Sequence, residues 1–90
     1  MSPVLDLGAK PITTHVDGAP FQPGWLVRVV AAVDAGIHDV SAHIGAVGRV
    51  AYLEYSCGCG QVFPTVPMVG VELPGGVEEF WPEEIRREAA

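Results

Sequence analysis

The chain has 90 residues, 5 of them basic and 11 acidic, giving a net charge of -6 with a hydrophobic fraction of 49%. This is the length of one domain, with enough apolar content for a core, and its few cations argue against partners such as nucleic acid or an anionic membrane surface. Gly 11 and Pro 8 together are about a fifth of the chain, which favours many turns between short strands over helices.

Residues 1–23 read as an N-terminal arm. Pro3, Pro11, Pro20 and Pro23, with Gly8 and Gly18, break any regular period. Within the arm, Pro11-Ile-Thr-Thr-His-Val16 is either a short edge strand or an extended arm over the core. Trp25–Val30 is the first strand, with Val27 and Val29 inward and Arg28 outward. Residues 31–44 are a long excursion with room for one short helix, and a loop of that length is uncommon unless it is functional or partly ordered.

Gly45-Ala-Val-Gly48 lets the backbone turn sharply with no Cβ in the way. Arg49–Tyr55 follows as a central strand, Val50 and Tyr52 sharing one face, Ala51 and Leu53 the other. Residues 56–66 form a loop at the tip of the sheet. Pro67–Leu73 is the next strand, with Val69, Val71 and Leu73 inward and Glu72 outward. Pro74-Gly75-Gly76 turns the chain back into Val77–Trp81. Pro82–Ile85 is a tight turn with proline at its first position. The expected fold is mainly β: a small SH3-like five-strand barrel over residues 24–86, with an N-terminal arm and a polar tail at 87–90.

No run of apolar residues approaches the roughly 20 that a spanning helix needs. The N-terminus shows no basic region followed by an apolar block. The expectation is a cytoplasmic protein. Cys57 and Cys59 flank a single glycine, too close for an unstrained bridge, which fits a reducing compartment.

Val27-Arg28-Val29, Gly45-x-x-Gly48-x-Val50, Val62-Phe63-Pro64, Pro67–Leu73 and Phe80-Trp81-Pro82-Glu83-Glu84-Ile85 follow one another in a particular order. That order resembles the SH3-like barrel at the C-terminal end of nitrile hydratase beta subunits and of their small accessory relatives. The likeness runs from Trp25 to Ile85, and a weaker one exists to small accessory proteins of nitrogen fixation. In nitrile hydratase the metal is held by a cysteine cluster of the alpha subunit, and this chain has no C-x-x-C-S-C motif. The resemblance therefore implies a non-catalytic accessory or assembly protein that binds another protein, a metalloenzyme subunit being one candidate partner.

The aromatic residues Tyr55, Phe63 and Trp81, with Glu83 and Glu84 of the acidic closing turn, are the expected partner-binding residues. Phe80 and Trp81 are adjacent, so one should enter the core while the other faces a neighbour or solvent. The four glutamates Glu78, Glu79, Glu83 and Glu84 read as a solvated acidic face able to speed encounter with a basic partner. The alternative function is metal binding or delivery through Cys57-Gly58-Cys59. Two thiolates suit zinc or copper(I), but zinc wants further ligands, which His43, His38 or His15 would supply. His38 and His43, with Ser41, Ser56 or a cysteine as nucleophile, show no spacing that fixes a catalytic triad, and the glycine-rich loop lacks the lysine of a phosphate cradle. The expectation is no resident cofactor and no catalysis.

Overall fold

A computed structural model describes residues 11–34, 36, 39–55 and 60–88. Five strands appear: β1 (Leu26–Val29), β2 (Val47–Glu54), β3 (Met68–Leu73), β4 (Gly76–Phe80) and β5 (Ile85–Arg87). Short 3-10 turns lie at Ser41–His43 and Pro82–Glu84. The strands form one antiparallel sheet in the order β4-β3-β2-β1-β5. The protein is thus mainly β. Among the described residues no helix is long and apolar enough to cross a membrane.

Alternation explains β1 directly, and part of β3. Val27 and Val29 are buried, as are Val69, Val71 and Leu73, while Glu72 between them is exposed. Phe80 is fully buried, and its neighbour Trp81 is half-buried. The two-residue Pro74-Gly75 link pairs Leu73 with Gly76, as its turn chemistry demands.

β2 departs from simple alternation. Its pairing to β3 slips between Val50 and Tyr52, so Val50 and Leu53, three apart, both enter the core. The expected pairing of Ala51 with Leu53 on one face is therefore corrected. A bulge adds one residue to a strand and turns the rest of it over, and here it swings Tyr52 to the outer face. At the start of the strand Gly48 is buried, and a Cβ there would collide with the Glu72 carbonyl and lie 2.8 Å from Leu73 Cδ2. Only glycine lets β2 approach β3 so closely while its other edge pairs with β1.

β1 covers just the first half of β2, from Val47 to Arg49. The exposed edge beyond is taken by the arm: Ile12 and Leu53 exchange two backbone hydrogen bonds of 2.8 and 2.9 Å. Gln22 holds the arm a second time, accepting from Val16 N–H at 2.8 Å and donating to Val16 O at 2.6 Å. The segment is an extended arm with a single bridge rather than a full edge strand.

The fifth strand lies where a turn and polar tail were expected. Ile85–Arg87 pairs with β1, so Arg87 belongs to the sheet. The ladder does not close between β4 and β5. Described residues of the β1–β2 excursion touch the turn and strand end between β4 and β5. Val30 and Ala31 donate to the Glu84 carbonyl at 2.8 and 3.3 Å, and the His43 ring stands edge-on to Phe80 with centroids 6.1 Å apart.

Candidate partner-binding site

The end of the sheet where β2 stops and β3 begins carries the aromatic residues. Tyr55 leaves β2 and its hydroxyl donates to Pro64 O at 2.9 Å. Its ring meets Phe63 edge-to-face, with centroids 4.9 Å apart and planes at 70°. The Phe63-Pro64 peptide is cis. Val62 and Val66 exchange two backbone hydrogen bonds of 2.9 and 2.7 Å, closing a small hairpin around it. At the foot of this loop Gln61 Nε2 donates to the buried Glu54 Oε1 at 2.8 Å.

These bonds fix the loop but leave its apolar crown in water. Phe63 is 65% exposed and Val62 55%. Trp81 approaches the start of this loop: a Cβ added at Gly60 would lie 3.6 Å from its Cη2. The Trp81 indole N–H donates to Asp34 Oδ2 at 3.3 Å, linking the site to the β1–β2 excursion. Glu83 is exposed on the following turn. The result is an aromatic and aliphatic platform with carboxylates at its margin. Burial raises the Tyr55 phenol above its usual range, so the hydroxyl stays a donor at neutral pH.

Glu84 does something else. It is fully buried, not part of an acidic surface as expected. Its Oε1 accepts from Trp81 N–H at 2.8 Å and its Oε2 from Val33 N–H at 2.9 Å. A capping glutamate that reaches back to the start of its own turn is a familiar device. This one also grips the excursion 51 positions away. Glu84 is therefore a positioning residue behind Trp81 and cannot itself touch a partner. Glu79, too, is engaged, accepting from the Tyr52 hydroxyl at 2.7 Å.

The metal-binding expectation rests on residues that are mostly not described. Cys57, Cys59 and His38 lie outside the described residues. His43 sits at the opposite end of β2 from Tyr55, facing Glu78 at 4.0 Å. It lines an open groove of about 280 Å³ with Ala46, Leu73, Pro74, Gly75, Gly76 and Glu78. His15 bonds the exposed Asp17 at 3.0 Å. Among the described residues no three histidine, cysteine or acidic side chains gather as ligands.

Tyr55, Phe63, Trp81 and Glu83 were expected at a site, and they share one end of the molecule. Val62 and Asp34 were missed. Val62 alternates with a loop residue, and no periodicity marks it as exposed. Asp34 reaches Trp81 only through the fold. No family model, curated protein or solved structure matches this chain.

Proposed function

We propose that this chain is a non-catalytic accessory or assembly module that docks another protein through the Tyr55–Phe63–Trp81 end. The carrying observation is the 65% exposure of Phe63 on a loop held by hydrogen bonds at its neck and its foot. A large apolar side chain kept in water on a fixed loop gains only when a partner covers it. Because the 62–66 hairpin is already tied by backbone hydrogen bonds, little conformational entropy is lost there on docking. The carboxylates of Asp34 and Glu83 suit a partner whose apolar anchor has basic neighbours.

The finer fold reading belongs with this proposal. The return of β5 beside β1, the bulged β2, the excursion after β1 and the 3-10 turn before β5 all support an SH3-like barrel whose seam is filled by loop rather than ladder. The resemblance makes a metalloenzyme subunit the first partner to try, and the cytoplasm the first compartment to look in.

The test is affinity capture from the native host with the natural chain and with Phe63→Ser, both checked for equal stability. The expected result is a defined partner recovered with the first and lost with the second. Equal recovery by both, or no partner with either, overturns the reading.

A further inference from the structure

The arginines look scattered along the chain, and the sheet collects them. Arg28 lies opposite Val47 of β2 and opposite Arg86 of β5. Leu26, two residues earlier, lies opposite Arg49, and its carbonyl accepts from Glu88 N–H at 2.8 Å. Residues directly opposite in an antiparallel ladder share a face. Since Val27 and Val29 are buried, Arg28, Arg49, Arg86, Leu26 and Val47 are on the outer face. Arg49 and Arg86 are exposed, and Val47 is 37% exposed. Glu72, opposite Arg49, and Glu79, opposite Gly70, share this outer face, while Glu78 lies opposite the buried Val71 on the inner one. The outer face thus runs from Arg28, Arg49 and Arg86 on β1, β2 and β5 to Glu72 and Glu79 on β3 and β4, with Glu88 already bound to Arg28.

We infer that the outer face of β5, β1 and β2 is a second docking surface, for an acidic polypeptide segment in which carboxylates alternate with apolar side chains. This is separate from the aromatic end and does not depend on it. The face already shows how it holds a carboxylate. Arg28 grips Glu88 with a two-pronged fork, Nε to Oε1 at 3.0 Å and Nη2 to Oε2 at 2.7 Å, while its Nη1 is tied to Gly45 O at 3.0 Å. Arg49, an exposed residue, is likewise anchored by Nη1 to Gly24 O at 2.8 Å. Guanidinium matches carboxylate two bonds at a time, and anchored forks lose little freedom on binding. Val47 lies beside Arg28 and Leu26 beside Arg49, so a segment laid on this face would meet both charge and apolar surface.

Charge decides against the other polyanion. With a net charge of -6, a long nucleic acid would run off the arginines onto carboxylates of the same sign. A short acidic peptide stays within the roughly 8 Å over which charges act at physiological salt.

The test measures fluorescence anisotropy of a short labelled peptide alternating glutamate and leucine against the full chain. The same measurement is made on an Arg49→Gln/Arg86→Gln variant, on a glutamine-for-glutamate peptide and on a single-stranded oligonucleotide. The expected result is salt-sensitive binding of the glutamate peptide that weakens about tenfold in the variant, the sum of two exposed charge pairs. Circular dichroism of the variant should match the natural chain, both arginines being exposed. No binding, equal binding of the glutamine peptide, an unchanged affinity in the variant, or tighter binding of the oligonucleotide overturns the inference.

Discussion

Replacing Glu84 by glutamine tests the seam of the sheet. The side chain keeps its size, so no cavity forms, but one of two acceptor oxygens becomes an NH₂ group. Trp81 N–H at 2.8 Å and Val33 N–H at 2.9 Å cannot then both be satisfied. One faces a donor in a site with no exposed surface on the glutamate. A buried donor left unpaired costs about 1–3 kcal/mol, so a loss of about 2 kcal/mol is expected. In a domain of this size each kcal/mol moves the midpoint by roughly 4–8 °C, so Tm should fall by about 8–16 °C. Urea unfolding followed by tryptophan fluorescence should show a lower midpoint at an unchanged slope. Hydrogen exchange should speed at the Trp81 and Val33 amides above all. Glu83→Gln is the control, an exposed neighbour expected within about 0.5 kcal/mol of the natural chain. Should Glu84→Gln match that control, the carboxylate is not a clamp and the account of the seam is wrong.

Gly70→Ala tests the row across β2, β3 and β4. The Tyr52 ring lies over Gly70 and reaches Glu79, so a new Cβ would run into the ring. A loss of about 2–4 kcal/mol is expected from overpacking and the broken hydrogen bond. Chemical denaturation should find a smaller loss when Tyr52 is already alanine, and an equal loss in both backgrounds would refute the contact. Alkaline titration tests the same row. Burial first, then the hydrogen bond to Glu79 and its charge, push the Tyr52 phenol well above its usual range. The folded chain thus holds this proton more tightly than the unfolded chain, whose tyrosines titrate near 10. That stability is complete below about pH 10 and is lost as pH rises above it. Urea midpoints taken on either side of pH 10 should fall, and less steeply in Tyr52→Phe; an identical slope in that variant would refute the assignment.

Much of the sheet was legible in the chain because β1, β3 and β4 carry strong cues of their own. Val27 and Val29, and Val69, Val71 and Leu73, recur at every second position, and Pro74-Gly75-Gly76 marks the turn that brings β4 back. β2 was placed but turned wrongly, since Val-Ala-Tyr-Leu is apolar at every position and a bulge leaves no trace in such a run. β5 was missed because a three-residue strand holding one isoleucine and two arginines has no period to read. At the site, Tyr55, Phe63, Trp81 and Glu83 could be named from residue type. Glu84 was misassigned for the same reason. A glutamate in an acidic run reads as solvated, and the amide that buries it comes from Val33, on the far side of three strands in the chain.

Glu84 also explains why stability and the candidate site are joined. An open ladder between β4 and β5 leaves backbone groups that other strands would have paired. Val30 and Ala31 of the excursion donate to the Glu84 carbonyl, and the carboxylate of the same residue ties Val33 to the turn that carries Trp81. Trp81 in turn bonds Asp34 of the same excursion through its indole. The indole is thereby fixed from two directions, by its backbone amide and by its ring nitrogen, without being buried in the core. A partner covering Trp81 would press on the Glu84 and Asp34 bonds that tie the excursion to the turn, so binding there should tighten that link. The sheet supplies a rigid base, and the polar clamps decide which aromatic face it presents.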